Sequence, residues 1–117
     1  MNQNSPNGEA DFLPEEALSK AACCLKIMAH PIRLRIAEII MKGSYAVHEI
    51  AELCHLQQNQ VCEHLRLMQG AGLLTSERRG RAVYYSIVSP QLLGLMACIR
   101  EHCDAAGTTA ERSGTDG

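Results

Sequence analysis

The chain has no tryptophan and one phenylalanine, and aromatic residues make up 3% of its 117 positions. A core built around aromatic rings is excluded, so the interior must be assembled from Leu, Ile, Val, Ala and Met. No apolar run approaches the roughly 18 residues a membrane span requires. The opening MNQNSPNGEADF has neither a basic start nor an apolar stretch, so no signal peptide is expected. The expected setting is cytoplasmic, with no membrane partner. Also missing are a Gly-rich phosphate loop, a paired-acid motif and any internal repeat. Cys98 with His102 is a conceivable nucleophile and base, but no orienting acid or oxyanion loop accompanies them, so no enzyme is expected. The six cysteines of a chain in a reducing compartment are expected as free thiols or ligands rather than disulfides.

Hydrophobic residues reach 46%, enough for one domain of this length. A domain this small has a thin stability margin, and a dimer burying further helix surface is expected. Charge is unevenly spread beneath a net −2 and a pI near 6.2. Residues 1–28 hold four acids (Glu9, Asp11, Glu15, Glu16) against Lys20 and Lys26, net −2. Residues 89–117 hold Glu101, Asp104, Glu111 and Asp116 against Arg100 and Arg112, again −2. Between them, Arg33, Arg35, Lys42, Arg66, Arg78, Arg79 and Arg81 outnumber Glu38, Glu49, Glu52, Glu63 and Glu77 by two. A basic centre between acidic ends can still meet a polyanion.

The polar ends, 1–13 and 106–117, are expected to be flexible tails around a domain spanning 14–105. Pro14-Glu15-Glu16 suits a helix start, and Ala17, Ala21, Cys24, Leu25 and Met28 form a helical stripe. His30-Pro31 breaks it, and a second helix carries Ile32, Ile36, Ile39 and Ile40 to Lys42-Gly43. SYAV (44–47) suits a short extended piece. A short helix over 47–55 is predicted to point Val47, Ile50 and Leu53 inward, with Leu56-Gln57 as a tight connection. The next helix, 58–70, has Val61, Leu65 and Met68 inward and is closed by Gly70 and Gly72. LLTSE and RAVYYSI flank Arg79-Gly80 as a hairpin, with Val83 and Tyr85 on one face and Ala82 and Tyr84 on the other. Ser89-Pro90 opens a last helix with Leu92, Leu95, Met96, Ile99 and Cys103 on its stripe. A short helix, a tight turn, a longer helix and a basic hairpin make a mostly α winged helix-turn-helix.

The stretches MAHPIRLRIAEII (28–40), EIAELCHLQQNQVCEHLRLMQGAGLL (49–74) and RRGRAVYYSI (78–87) resemble the ArsR/SmtB family of bacterial metalloregulatory repressors. The resemblance spans about residues 15–103. It implies a homodimer built largely from the first and last helices, an apo form that binds double-stranded operator DNA, and an inducer that weakens that binding.

On the helix 58–70, Gln58, Asn59, Gln60, Glu63, His64 and Arg66 oppose the apolar stripe and are the candidate DNA contacts. Gln and Asn pair with adenine edges, and Arg66 suits a phosphate. Arg78, Arg79 and Arg81 around Gly80 form a basic wing, suited to phosphates and narrow minor grooves. Glu63 and Cys62 depart from the family pattern, which has a neutral or basic residue and a small hydroxyl there. Glu63 bears on sequence preference; Cys62 is either a plain substitute for Ser or a thiol whose modification blocks DNA binding.

Soft-metal sensors of the family carry Cys-x-Cys-Asp where this chain has Ala46-Val47-His48-Glu49, so that site is absent or reduced to His48. The zinc pattern on the last helix is represented only by His102 and Asp104, and redox-responsive relatives have a Cys where this chain has Ala37. There remain Cys23 and Cys24 on the first helix and Cys98, His102 and Cys103 on the last. Cys98 and His102 share a face at i, i+4. In the resembling fold these helices meet at the dimer interface. Three thiolates suit As(III) or Sb(III), and four S/N ligands suit Cd or Zn. The competing readings are a redox-responsive cysteine switch, or cysteines that only pack, in a regulator without a metal site.

Overall fold

The computed structural model describes residues 11–103, so residues 1–10 and 104–117, with most of the expected N-terminal tail, all of the expected C-terminal tail and Asp104, lie outside it. Five helices and one hairpin follow in the order α1 (Glu15–Met28), α2 (Pro31–Lys42), α3 (Val47–Cys54), α4 (Gln58–Gly70), β1 (Leu74–Arg79), β2 (Ala82–Ile87) and α5 (Pro90–Cys103). This is the expected mostly α architecture with a β-hairpin wing. Among the described residues no helix is long and apolar enough to cross a membrane.

Each boundary has a local cause. Glu15 and Glu16 sit in the first turn of α1 and Lys26 in its last, both favourable to the helix dipole. His30 caps α2: the Ile32 N–H donates to its Nδ1 at 3.2 Å, and Pro31 takes the first helical position, where no N–H is needed. At α3, the Glu49 carboxylate accepts from the Ala46 N–H at 2.7 Å. At α5, the buried Ser89 hydroxyl accepts from the Leu92 N–H at 3.1 Å. Gly72, with φ +81°, ends α4 in a Schellman arrangement: its N–H donates to Gln69 O and the Leu73 N–H to Met68 O, both at 3.0 Å.

The turn between α3 and α4 uses the same device without glycine. His55 has φ 58° and ψ 42°, its N–H donates to Glu52 O, and the Leu56 N–H donates to Ala51 O. The helix thus stops one residue earlier than the sequence predicts. A left-handed conformation costs a residue with a Cβ about 1–2 kcal/mol, while glycine costs about 0.5–1 kcal/mol in chain entropy. Replacing His55 by Gly is therefore expected to stabilise the fold by about 0.5–1 kcal/mol. Thermal unfolding at matched protein concentration should show a midpoint several degrees higher; a lower midpoint would show that the His55 side chain contributes more than its backbone costs.

The core draws on all five helices. Met28, Ile36, Ile50, Val61, Leu65, Met68 and Leu92 are almost fully enclosed, each contributing about 1.5–3 kcal/mol by burial. Ala51 completes the inward stripe of α3, whereas Leu53 is 51% exposed. Leu53 lies about a third of a turn from the line through Val47, Ile50, Ala51 and Cys54. Leu25 and Cys103, expected on inward stripes, are also exposed in the single chain.

The wing is an antiparallel pair with Leu74 opposite Ile87 and Arg79 opposite Ala82. Gly80, at φ +64°, opens the two-residue turn, and Arg81 keeps negative φ, as a turn with Gly in its first central position requires. Leu74 is buried, and Val83, Tyr85 and Ile87 on the same face pack against the core. Ala46 adds one antiparallel bridge to Tyr84, all that the SYAV segment contributes to the sheet.

Candidate nucleic-acid interface

α4 buries Val61, Leu65 and Met68, which directs Asn59, Glu63 and Arg66, spaced i, i+4, i+7, away from the core as one exposed stripe. Gln58 is exposed on the flank nearer the wing, where Gln69 Nε2 donates to Ser76 Oγ of β1 at 3.2 Å. Gln60 is exposed, but its Oε1 accepts from the Gln57 N–H at 3.0 Å, which ties its side chain to the start of α4. Cys62 is half-buried and packs against the core.

His64 does not share the outward face. It is half-buried on the opposite flank, where its Nδ1 accepts from Arg33 Nε of α2 at 3.1 Å. Its ring meets that of His30 edge to face, centroids 5.0 Å apart. Burial foremost, then the Arg33 and His30 charges, hold its pKa below the ordinary histidine value, with Glu63 opposing. The sequence reading grouped His64 with the polar residues opposite the apolar stripe, although it directly precedes the buried Leu65. Its partner lies 31 positions away, so periodicity could not show it. Arg33 entered that reading only as a charge; the His30-Pro31-x-Arg33 spacing was the available signal.

The wing arginines are not equivalent. Arg79 Nη2 lies 3.1 Å from Glu77 Oε1, and its guanidinium carbon lies 4.6 Å above the Tyr84 ring. Glu77, Arg79 and Tyr84 share one hairpin face. Arg78 and Arg81 are exposed, with no ion pair among the described residues.

The cysteines are free. Cys24 is a core residue whose thiol pKa is raised by burial and then by the neighbouring Cys23. Its thiol is enclosed within the single protomer, unlike the other candidate ligands. Cys23, Cys98 and Cys103 are exposed, as is His102, which lies 3.8 Å from Glu101. Cys103 lines a cleft of about 330 Å³ between α2 and α5 with Leu34, Met41, Met96, Ile99 and Arg100. Within one protomer the described residues bring together no group of three or more His, Cys, Asp or Glu able to hold a metal ion. Cys54, half-buried against the core, has its thiol pKa raised by burial, partly offset by Arg35.

Residues 30–76, from the α2 cap into β1, match the model of the arsR family of bacterial regulatory proteins. The transcriptional repressor PagR of Bacillus anthracis is 37% identical over 81 residues, covering 68% of this chain and 81% of PagR. This chain belongs to the ArsR family. The crystal structure of PagR superposes with a TM-score of 0.65 at 34% identity, over 74% of this chain and 99% of that one. The repressor SmtB of Mycobacterium tuberculosis is 34% identical over 79 residues, 68% of this chain; the match spans 58% of SmtB. A homodimeric winged helix-turn-helix DNA-binding domain from Mycobacterium bovis has the same fold, with a TM-score of 0.67 at 24% identity, covering 89% of this chain and 91% of that one. These ArsR relatives are regulators of transcription, not enzymes.

Proposed function

We propose that this chain is a homodimeric, sequence-specific repressor that binds double-stranded operator DNA in the cytoplasm and is released by a thiol-reactive inducer. The carrying observation is the outward Asn59, Glu63 and Arg66 stripe of α4, flanked by exposed Gln58 and by the basic tip of the hairpin, in a chain of the ArsR family. Asn59 and Gln58 suit adenine edges, Glu63 accepts from cytosine, and Arg66 meets phosphate.

The inducer reading rests on Cys23 of α1 and on Cys98, His102 and Cys103 of α5, all accessible in the single chain. α1 packs against α5, and a dimer through these helices supplies each thiol twice. A ligand set drawn from two protomers is the arrangement this reading requires, since the described residues of one protomer assemble none. As(III) or Sb(III) fits three thiolates, and Cd or Zn fits a mixed S/N set. An ion bridging protomers would alter the spacing of the two α4 helices and so the affinity for a two-site operator.

Titrating the reduced protein on promoter DNA with arsenite, cadmium, zinc and a thiol oxidant tests this reading. Release by arsenite or cadmium, lost on replacing Cys98 and Cys103 by Ser, is the expected result. Release by the oxidant alone would favour a redox switch, and release by none would leave a regulator without a thiol signal.

A further inference from the structure

We infer that Arg33 and His64 are positioning residues that fix the roll of α4 against the end of α1, and that this link sets how well the protein separates its operator from bulk DNA. The inference rests on the proposal that α4 reads operator DNA.

α4 is seated on the core through Val61, Leu65 and Met68, and apolar contact has no preferred direction. A helix held only by such a stripe can roll about its axis. Directional contacts stand on both flanks. On the wing side, Gln69 donates to Ser76. On the other, Arg33 Nε donates to His64 Nδ1 at 3.1 Å, while Arg33 Nη1 donates to Ile27 O at 3.0 Å. Ile27 lies in the last turn of α1, where backbone carbonyls lack helical partners and carry the negative end of the dipole. The planar guanidinium is thus anchored at one edge by the α1 terminus and reaches α4 with the other.

The link requires a neutral His64, because Nδ1 must accept. Arg33 from α2 and His30 from the α1–α2 corner face it, and Glu63 adjoins it on α4. His30 already uses its own Nδ1 to cap α2. Protonated, His64 loses its acceptor and turns a positive charge toward Arg33.

The functional weight of the link follows from lever length. With side chains a helix has a radius of about 5–6 Å, so a 20° roll moves a side-chain tip by roughly 2 Å. Such a shift breaks a base-edge hydrogen bond. Attraction between arginine and the phosphate chain is long-ranged and tolerates it. Loss of the link should therefore lower operator affinity while sparing affinity for unrelated sequence.

The test starts from an operator duplex selected by the wild-type protein from a random pool. Fluorescence anisotropy on that duplex and on a scrambled one, at fixed salt, gives a discrimination ratio. Arg33→Gln and His64→Phe should each lower the ratio by about tenfold, the worth of one charge-assisted hydrogen bond, and the double variant should lose no more than either single one. His64→Asn, whose side-chain oxygen can replace Nδ1 as acceptor, should restore the ratio. As the pH falls from 7.5 to well below the ordinary histidine range, where a histidine held low by burial and by Arg33 takes up its proton, the wild-type ratio should fall, and that of His64→Asn should stay level. Should Arg33→Gln or His64→Phe fail to fold, the comparison of pH profiles decides alone. An unchanged ratio, equal losses on both duplexes, multiplying losses in the double variant, or a wild-type pH profile matching His64→Asn would each overturn the link. If the wild-type protein selects no sequence, the repressor reading falls and the link with it.

Discussion

Replacing Leu18 and Leu25 together by glutamate is expected to leave a folded monomer that binds its operator at least a hundredfold more weakly. The two leucines are 53% and 55% exposed in the single chain and lie seven residues apart, with exposed Ala22 between them at i+4. That spacing makes a second apolar stripe on α1, about 100° around the helix from Cys24 and Met28, which face the core. Leu93, 44% exposed, and Ala97 present a similar strip on α5. Exposed apolar strips on two helices that pack together are the mark of an interface, the one the proposed homodimer requires. Glutamates there would be buried without partners in the dimer, yet would be solvated in the monomer, so the core should survive. Losing the second reading head removes the effective-concentration gain of two linked sites, about 10²–10⁴-fold. Sedimentation should give a monomer with wild-type helical circular dichroism, and anisotropy should give the weakened binding. A dimer that persists would remove α1 from the interface, and a monomer with undiminished affinity would show that operator binding does not need the second protomer.

That second stripe also shows what the sequence could and could not tell. Helix number, order and direction were legible because their causes are local: Pro14, His30-Pro31, Gly72 and Ser89-Pro90 mark ends, and apolar residues at i, i+3, i+4 mark inward faces. The hairpin was legible through Gly80 and the alternation that puts Val83 and Tyr85 on the core side. Errors arose where the stripe's edge mattered. Leu25 and Leu53 are apolar but sit too far around their helices to reach the core. Cys103 is in phase with Met96 and Ile99, but it lies at the end of α5, on the rim of an open cleft. The site was legible by residue type and less so by role. Arg79 differs from Arg78 and Arg81 only through Glu77 and Tyr84 on the same hairpin face. His64 is separated from Asn59 and Arg66 by a partner on another helix.

The inequality of the wing arginines leads to the second large effect. Replacing Arg78 and Arg81 together by Gln is expected to weaken DNA binding on the order of a hundredfold at low salt and to flatten its salt dependence. Both guanidinium groups are exposed and lack an ion pair among the described residues, so their charge is available to phosphate. Each phosphate contact adds about 0.9 to the slope of log K against log salt on duplex DNA. Two arginines on each of two protomers therefore predict a slope shallower by about three to four. The matched variant is Arg79→Gln. Arg79 already spends much of its charge on Glu77 and its flat face on Tyr84, so its loss should change the slope less than loss of either neighbour. Binding isotherms of the wild type, the double variant and the three single variants Arg78→Gln, Arg79→Gln and Arg81→Gln across a salt series measure this directly. A slope unchanged in the double variant would take the wing off the DNA. A larger change from Arg79→Gln would mean that Arg79 leaves Glu77 and Tyr84 to reach the duplex.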